Sequence, residues 1–230
     1  VGFIADAASG PVPGPDTVWS AEPGQVLTPS SPVTLTFDNG AGLVFTRVIS
    51  VDEHYMFNFD DTIANTGSTA ASVAGYGRVT RFFKPKTAGI YVLHEGLIGV
   101  IGDEGLQEVD YADVEDTPVI APPKATAGWM GITDKYWAAA LVPPQGAGFE
   151  TRFAHFTDGR ARYQADFKTD AQSIAPGGSA TSKTLVFAGA KEVPVIAGYK
   201  DQYSILNFDL MIDWGWFYFL TKPMFWLIDY

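Results

Sequence analysis

The stretch RARYQADF, Arg160 to Phe167, alternates without a break. Ala161, Tyr163, Ala165 and Phe167 fall on one side, and Arg160, Arg162, Gln164 and Asp166 on the other. Only an extended chain gathers a period of two into one apolar and one polar face; a helix would scatter it around its axis. The pattern recurs along most of the chain. Val33, Leu35 and Phe37 alternate with Thr34 and Thr36, and Asp38-Asn39-Gly40 follows as a turn signal. Leu43–Val51 is a second β-rich run. Asp52-Glu53-His54 reverses the chain, after which Tyr55, Phe57, Phe59 and Ile63 oppose Asn58, Asp60 and Thr62. Asn65-Thr66-Gly67-Ser68 marks the next turn. A run over Ala70–Arg81 follows, in which Gly75 and Gly77 suggest a bend or close packing. Further strands are expected at Ile90–Val100, Tyr136–Val142, Glu150–Phe156 and Ser179–Ala188. Runs of this length at intervals of roughly 10 to 15 residues, with no long helical period before residue 190, predict an antiparallel sandwich rather than an α/β fold.

Three regions follow from this. Residues 1–32 carry Pro11, Pro13, Pro15, Pro23, Pro29 and Pro32 among small polar residues, and read as a connector or as the truncated start of the domain. Residues 33–189 form the β-domain. Residues 190–230 are helical: Pro194 suits the first turn of a helix running to about Tyr203, and a second helix from about Asp213 is interrupted at Pro223. The chain begins at Val1 without a signal sequence and stops at Tyr230 without a helix-ending signal, so both ends are expected to be cuts in a longer protein.

Chemistry is sparse. With 26 acidic against 15 basic residues, the formal charge of -11 makes a poor partner for nucleic acid. The lack of cysteine excludes disulfides and thiolate-held metals. His54, His94 and His155 lie in different segments, and His94-Glu95 has Ile98 where a zinc-protease motif needs its second histidine. Gly75-Tyr76-Gly77-Arg78 lacks the third glycine of a dinucleotide loop, and no serine sits in a Gly-x-Ser-x-Gly setting. No catalytic, cofactor-binding or metal-binding residue is therefore assigned, and the chain is expected not to be an enzyme. Residues 103–116 hold Asp103, Glu104, Glu108, Asp110, Asp113, Glu115 and Asp116 without calcium-loop spacing, and read as a solvated acidic loop or an electrostatic docking site.

Two stretches carry more. GWMGITDKYWAAALVPP, Gly128 to Pro144, contains Gly128-Trp129 and Gly131 followed by Asp134-Lys135-Tyr136-Trp137. FDLMIDWGWFYFLTKPMFWLIDY, Phe208 to Tyr230, contains Asp213, Gly215, Lys222 and Pro223 amid a dense run of aromatics. Together and in this order they resemble the signature stretches of the large periplasmic domain of bacterial YidC membrane protein insertases, in the YidC/Oxa/Alb family. LVFAGAKEVPVIAGY, Leu185 to Tyr199, is similar to that family's last strand and first helix, with Gly189-Ala190-Lys191 in place of Gly-Pro-Lys.

The resemblance implies a β-super-sandwich like that of sugar mutarotases, packed against carboxy-terminal helices that lead to the membrane. It implies a domain on the periplasmic side of the inner membrane of a Gram-negative bacterium. The whole protein would act as an insertase and chaperone for membrane protein clients, alone or with the Sec translocon and its SecD and SecF subunits. Trp214, Trp216, Phe217, Tyr218, Trp226 and Tyr230 would sit at the lipid bilayer surface, with Lys222 reaching the headgroups. Gly128, Trp129, Gly131, Asp134, Lys135, Tyr136, Trp137, Asp213, Gly215 and Pro223 would be structural signatures. By packing logic alone, Trp129, Tyr136 and Trp137 are expected in the core or against a helix, and Asp213 and Pro223 as helix cap and helix break. The alternatives are a mutarotase-like carbohydrate-binding protein or enzyme, and a peripheral membrane-surface module.

Overall fold

The computed structural model describes residues 1–85 and 93–213, together with Met224 and Leu227. The described chain is mainly β. In order its strands are β1 (Gly2–Ala5), β2 (Ser20–Ala21), β3 (Val33–Asp38), β4 (Leu43–Val51), β5 (Met56–Asn65), β6 (Ala71–Phe82), β7 (Gly96–Ile101) and β8 (Leu106–Val109). The short helix α1 (Tyr111–Asp116) comes next, then β9 (Val119–Ile120), β10 (Gly128–Thr133), β11 (Trp137–Val142), β12 (Phe149–Phe156), β13 (Arg162–Thr169), β14 (Gln172–Ile174) and β15 (Ser179–Ala190). Helix α2 (Val193–Gln202) and a 3-10 turn (Phe208–Met211) close it.

The strands form two antiparallel sheets. The larger runs β2-β3-β4-β5-β15-β11-β10-β7-β8, and the smaller runs β1-β6-β13-β12-β9 with β14 on the free part of β6. The expected sandwich is thus present, and alternation decides which face each residue serves. Leu97, Ile101, Met130, Ile132 and Leu141 of the large sheet meet Phe149, Phe153, Tyr163, Ala165 and Phe167 of the small one. Their neighbours Ile98, Val100, Trp129, Ala140 and Phe187 point the other way, into a cluster with Ile196, Tyr199, Ile205, Phe208 and Met211. The large sheet is therefore a middle layer, buried by the small sheet on one face and by α2 and the 3-10 turn on the other.

Local chemistry sets the turns. At the β3–β4 hairpin the Asp38 carboxylate accepts the Gly40 N–H at 2.8 Å, and the Asn39 side-chain oxygen accepts from Ala41 at 2.8 Å and Leu43 at 2.9 Å. In the next turn Asp52 accepts the N–H groups of His54 at 3.0 Å and Met56 at 2.9 Å. That closure corrects one expectation: Tyr55 is not the first residue of the apolar face but stands in the turn with φ +66° and 58% exposed, while Met56 is fully buried.

Other expectations shift as well. Ile90–Val92 lie outside the described residues, and the strand expected at Ile90–Val100 runs over Gly96–Ile101. Residues 1–32 contribute β1, which pairs antiparallel with β6 from Gly2↔Tyr76 to Ala5↔Val73. Arg47 holds this segment down. Its guanidinium donates to the Asp61 carboxylate at 2.7 and 2.9 Å and to the Val1 carbonyl at 3.1 Å, with the rings of Phe3 and Trp19 each 5.3 Å away. The acidic segment 103–116 is not a loop but an edge strand, β8, followed by α1. Its helix begins in a capping box between Asp110 and Asp113, and it buries Tyr111 and Val114.

Candidate functional site

The signature hairpin β10–β11 lies near the middle of the large sheet and is packed too tightly for ordinary side chains. Gly128 has φ +139°, and a Cβ there would sit 2.0 Å from the Val100 carbonyl oxygen. At Gly131 the nearest atom to a Cβ would be the Ala139 carbonyl oxygen, 2.1 Å away. Between them Trp129 is fully buried on the helix-covered face, edge-on to Phe208 at 5.4 Å between centroids. Its indole N–H has no hydrogen-bond partner among the described residues. Phe208 also meets Phe187 at 6.2 Å, so the 3-10 turn is docked by rings on two strands.

Helix α2 is fixed by its own tyrosine. Tyr199 reaches back to the β4–β5 turn and donates to the Asp52 carboxylate at 2.7 to 2.8 Å. Burial, and then the hydrogen bond to Asp52, pushes its hydroxyl well above the ordinary tyrosine range. Lys200 and Asp209 pair at 3.0 Å and tie α2 to the 3-10 turn.

The β10–β11 turn forms a polar junction. Asp134 takes the Arg81 guanidinium of β6 in a two-pronged grip at 2.5 Å on each oxygen, across the gap between the sheets. Arg81 also donates to the Tyr111 hydroxyl at 3.0 Å, and the hydrogen bond to Asp134 raises the Arg81 pKa further. The Lys135 N–H donates to Glu95 at 3.3 Å, and the Lys135 ammonium stands 5.0 Å from the Tyr136 ring. Behind the turn, Lys191 donates to the Thr133 hydroxyl at 2.9 Å; burial lowers its pKa, and Asp213, Asp134 and Glu95 oppose that shift. Asp213, within the second signature stretch, accepts the His94 N–H at 2.8 Å. The last residue of the continuously described chain is thus fastened to the same end of the sandwich as the signature turn. A cleft of about 250 Å³ opens beside it, lined by Val79, Arg81, Ile132, Asp134, Trp137 and Ala138 among others.

Sequence reasoning placed these residues unevenly. Trp129 is a core and helix-docking side chain, as its packing reading expected. Tyr136 and Trp137 are not: they are 65% and 61% exposed, because Tyr136 lies in the turn and Trp137 stands in the last ladder pair of β11, Trp137↔Ala190, at the end of the sheet. Asp213 is bound to His94, while Trp214, Gly215, Trp216, Phe217, Tyr218, Lys222, Pro223, Trp226 and Tyr230 lie outside the described residues. The histidines stay apart. His54 is exposed in a turn, His94 donates a ring N–H to the Leu97 carbonyl at 2.9 Å, and His155 stacks on Tyr163 at 4.7 Å. Arg81, Glu95 and Lys191 were missed; each belongs to a different segment, and only the fold brings it to the signature turn.

No helix among the described residues is long and apolar enough to cross a membrane. The family model for the YidC periplasmic domain matches residues 1–227. A membrane protein insertase YidC of Sinorhizobium medicae is 60% identical over all of this chain, which covers 38% of that protein, and one of Rhizobium meliloti is 58% identical, with 39% covered. The chain therefore spans about two fifths of the length of these relatives. A galactose mutarotase related enzyme from Lactobacillus acidophilus has the same fold, with a TM-score of 0.52 over 75% of this chain and 71% of that one, at 8% identity.

Proposed function

The chain belongs to the YidC periplasmic domain family, and from that premise we propose that it serves a membrane protein insertase as its scaffold and docking domain. The observation that carries this is the match of the family model across residues 1–227, with insertases 58 to 60% identical over all of the chain. In this reading the whole protein assists membrane protein clients into the inner membrane of a Gram-negative bacterium, alone or with the Sec translocon and SecD and SecF. The domain contributes no catalytic group; it offers faces for partners and holds the following chain in place.

The junction supports such a role. Rings from β10 and β15 and the Tyr199–Asp52 bond hold α2 and the 3-10 turn, and His94 fastens Asp213 at the sandwich end. Trp214, Trp216, Phe217, Tyr218, Trp226 and Tyr230, with Lys222, then act as the tail's membrane-surface anchors, since aromatic rings with polar edges favour the headgroup region. The test is replacement: the full-length protein containing this domain is expressed in a cell depleted of its own insertase. Restored client insertion is expected. An intact, membrane-located protein that restores none would overturn the proposal.

A further inference from the structure

Five aromatic side chains among the described residues are exposed: Tyr55 at 58%, Phe82 at 52%, Phe83 at 56%, Tyr136 at 65% and Trp137 at 61%. All five lie at one end of the sandwich. Tyr55 closes the β4–β5 turn, next to Met56, which pairs with Phe187 near the end of β15. Trp137 opens β11 opposite Ala190, the last residue of β15, and Tyr136 precedes it. Phe82 ends β6 and Phe83 follows it, directly after the Arg81 that is bound to Asp134. At the opposite end, the turns around Asn39, Gly67 and Gly146 expose no aromatic ring. Scattered exposed rings are ordinary; rings gathered at one pole are not.

Backbone geometry strengthens the point. Four described residues other than glycine have positive φ, and two of them are Tyr55 at +66° and Phe83 at +68°. Glycine or asparagine would occupy those positions without the same strain, so the turns keep large rings at a conformational cost. Cations accompany the rings. Arg160 stands 5.5 Å from the Phe82 ring and 4.8 Å from that of Phe83, and Lys135 5.0 Å from that of Tyr136. Neither cation has a carboxylate at ion-pair distance among the described residues, although the chain as a whole is strongly acidic. Cations set against exposed rings suit a layer where phosphate lies directly above hydrocarbon. This is also the end at which Asp213 is held and from which the aromatic-rich tail continues.

We propose that this rim is a lipid-surface site made by the sandwich itself. Tyr55, Phe82, Phe83, Tyr136 and Trp137 sit at headgroup level, and Arg160 and Lys135 face the phosphates of anionic lipid. The inference rests on the membrane-surface role of the tail and adds a second contact that fixes how the domain stands on the bilayer.

The chain has no cysteine, so single reporters can be placed at will. The 230-residue chain is labelled with an environment-sensitive nitrobenzoxadiazole at Tyr136→Cys, or at Ser68→Cys at the opposite end, and mixed with phosphatidylethanolamine–phosphatidylglycerol vesicles. The site predicts a blue shift and quenching by spin-labelled lipid at position 136 and neither at position 68. The double variant Tyr55→Gly/Phe83→Gly relieves both positive-φ positions, so it stays at least as stable while vesicle partitioning falls about tenfold. Chain that floats with the vesicles while its position-136 label is unchanged overturns the rim and leaves the tail as anchor. Chain that does not float at all overturns both.

Discussion

At Gly131 an added methyl carbon would stand 2.1 Å from the Ala139 carbonyl oxygen, an atom held by the β10–β11 ladder and unable to give way as a side chain could. Gly131→Ala should therefore cost about 2–4 kcal/mol of unfolding free energy, read by urea titration with the slope unchanged. Alanine at Gly146, where nothing lies within 4 Å, suffers only from its positive φ of +84° and should lose less. Tyr199 offers a second residue-scale test. Removing its hydroxyl in Tyr199→Phe leaves the ring packed and takes one donor from Asp52, which keeps the His54 and Met56 N–H groups. A loss of about 1.5–3 kcal/mol is expected. Gly128 and Gly131 were singled out only by the family resemblance, and Trp129 also by the packing expected of a buried ring. Arg81 was not singled out, because nothing near it in sequence announces that it will meet Asp134 from another sheet.

Strands that alternate were legible; of the two strands buried at all six positions, β7 was expected with other bounds and β10 was missed. β13 keeps its period of two because one face fills the sandwich core while the other, though Gln164 and Asp166 are themselves buried, is polar and hydrogen-bonded, with Arg152 donating to Asp166. β10, read only as a motif, is buried at all six positions because sheet and helix cover its two faces, which erases the alternation. Helix α1 was hidden by its carboxylates; its two buried residues, Tyr111 and Val114, are too few to show a helical period. These elements also share a pH response. Burial raises the pKa of Tyr199, Tyr163 and Tyr111, with Asp52 and Glu115 adding to the first two and Arg81 opposing the shift of the third. A folded pKa above the unfolded one gives stability that is complete below the ordinary tyrosine value of 10.0 and is lost as pH climbs past it. Unfolding free energy measured from pH 8 upward should thus hold level and then fall above about 10, and Tyr199→Phe should soften that fall.

Across the whole molecule, polarity runs from end to end as well as from core to surface. One pole carries polar hairpin turns; the other gathers the signature turn, the exposed rings and the fastening of Asp213. The sandwich was legible in the sequence because antiparallel strands repeat their own signal. The pole was not, since its members come from turns far apart in the chain. The claim on which the functional account turns is that this domain stands on a membrane surface through its tail, and flotation of the 230-residue chain with anionic vesicles tests it most directly. The intact chain should float, and Trp214→Ser/Trp216→Ser/Phe217→Ser should float markedly less while its sandwich melts unchanged, because interfacial binding scales with the apolar area buried. Equal flotation of the two chains, or flotation of neither, would contradict it.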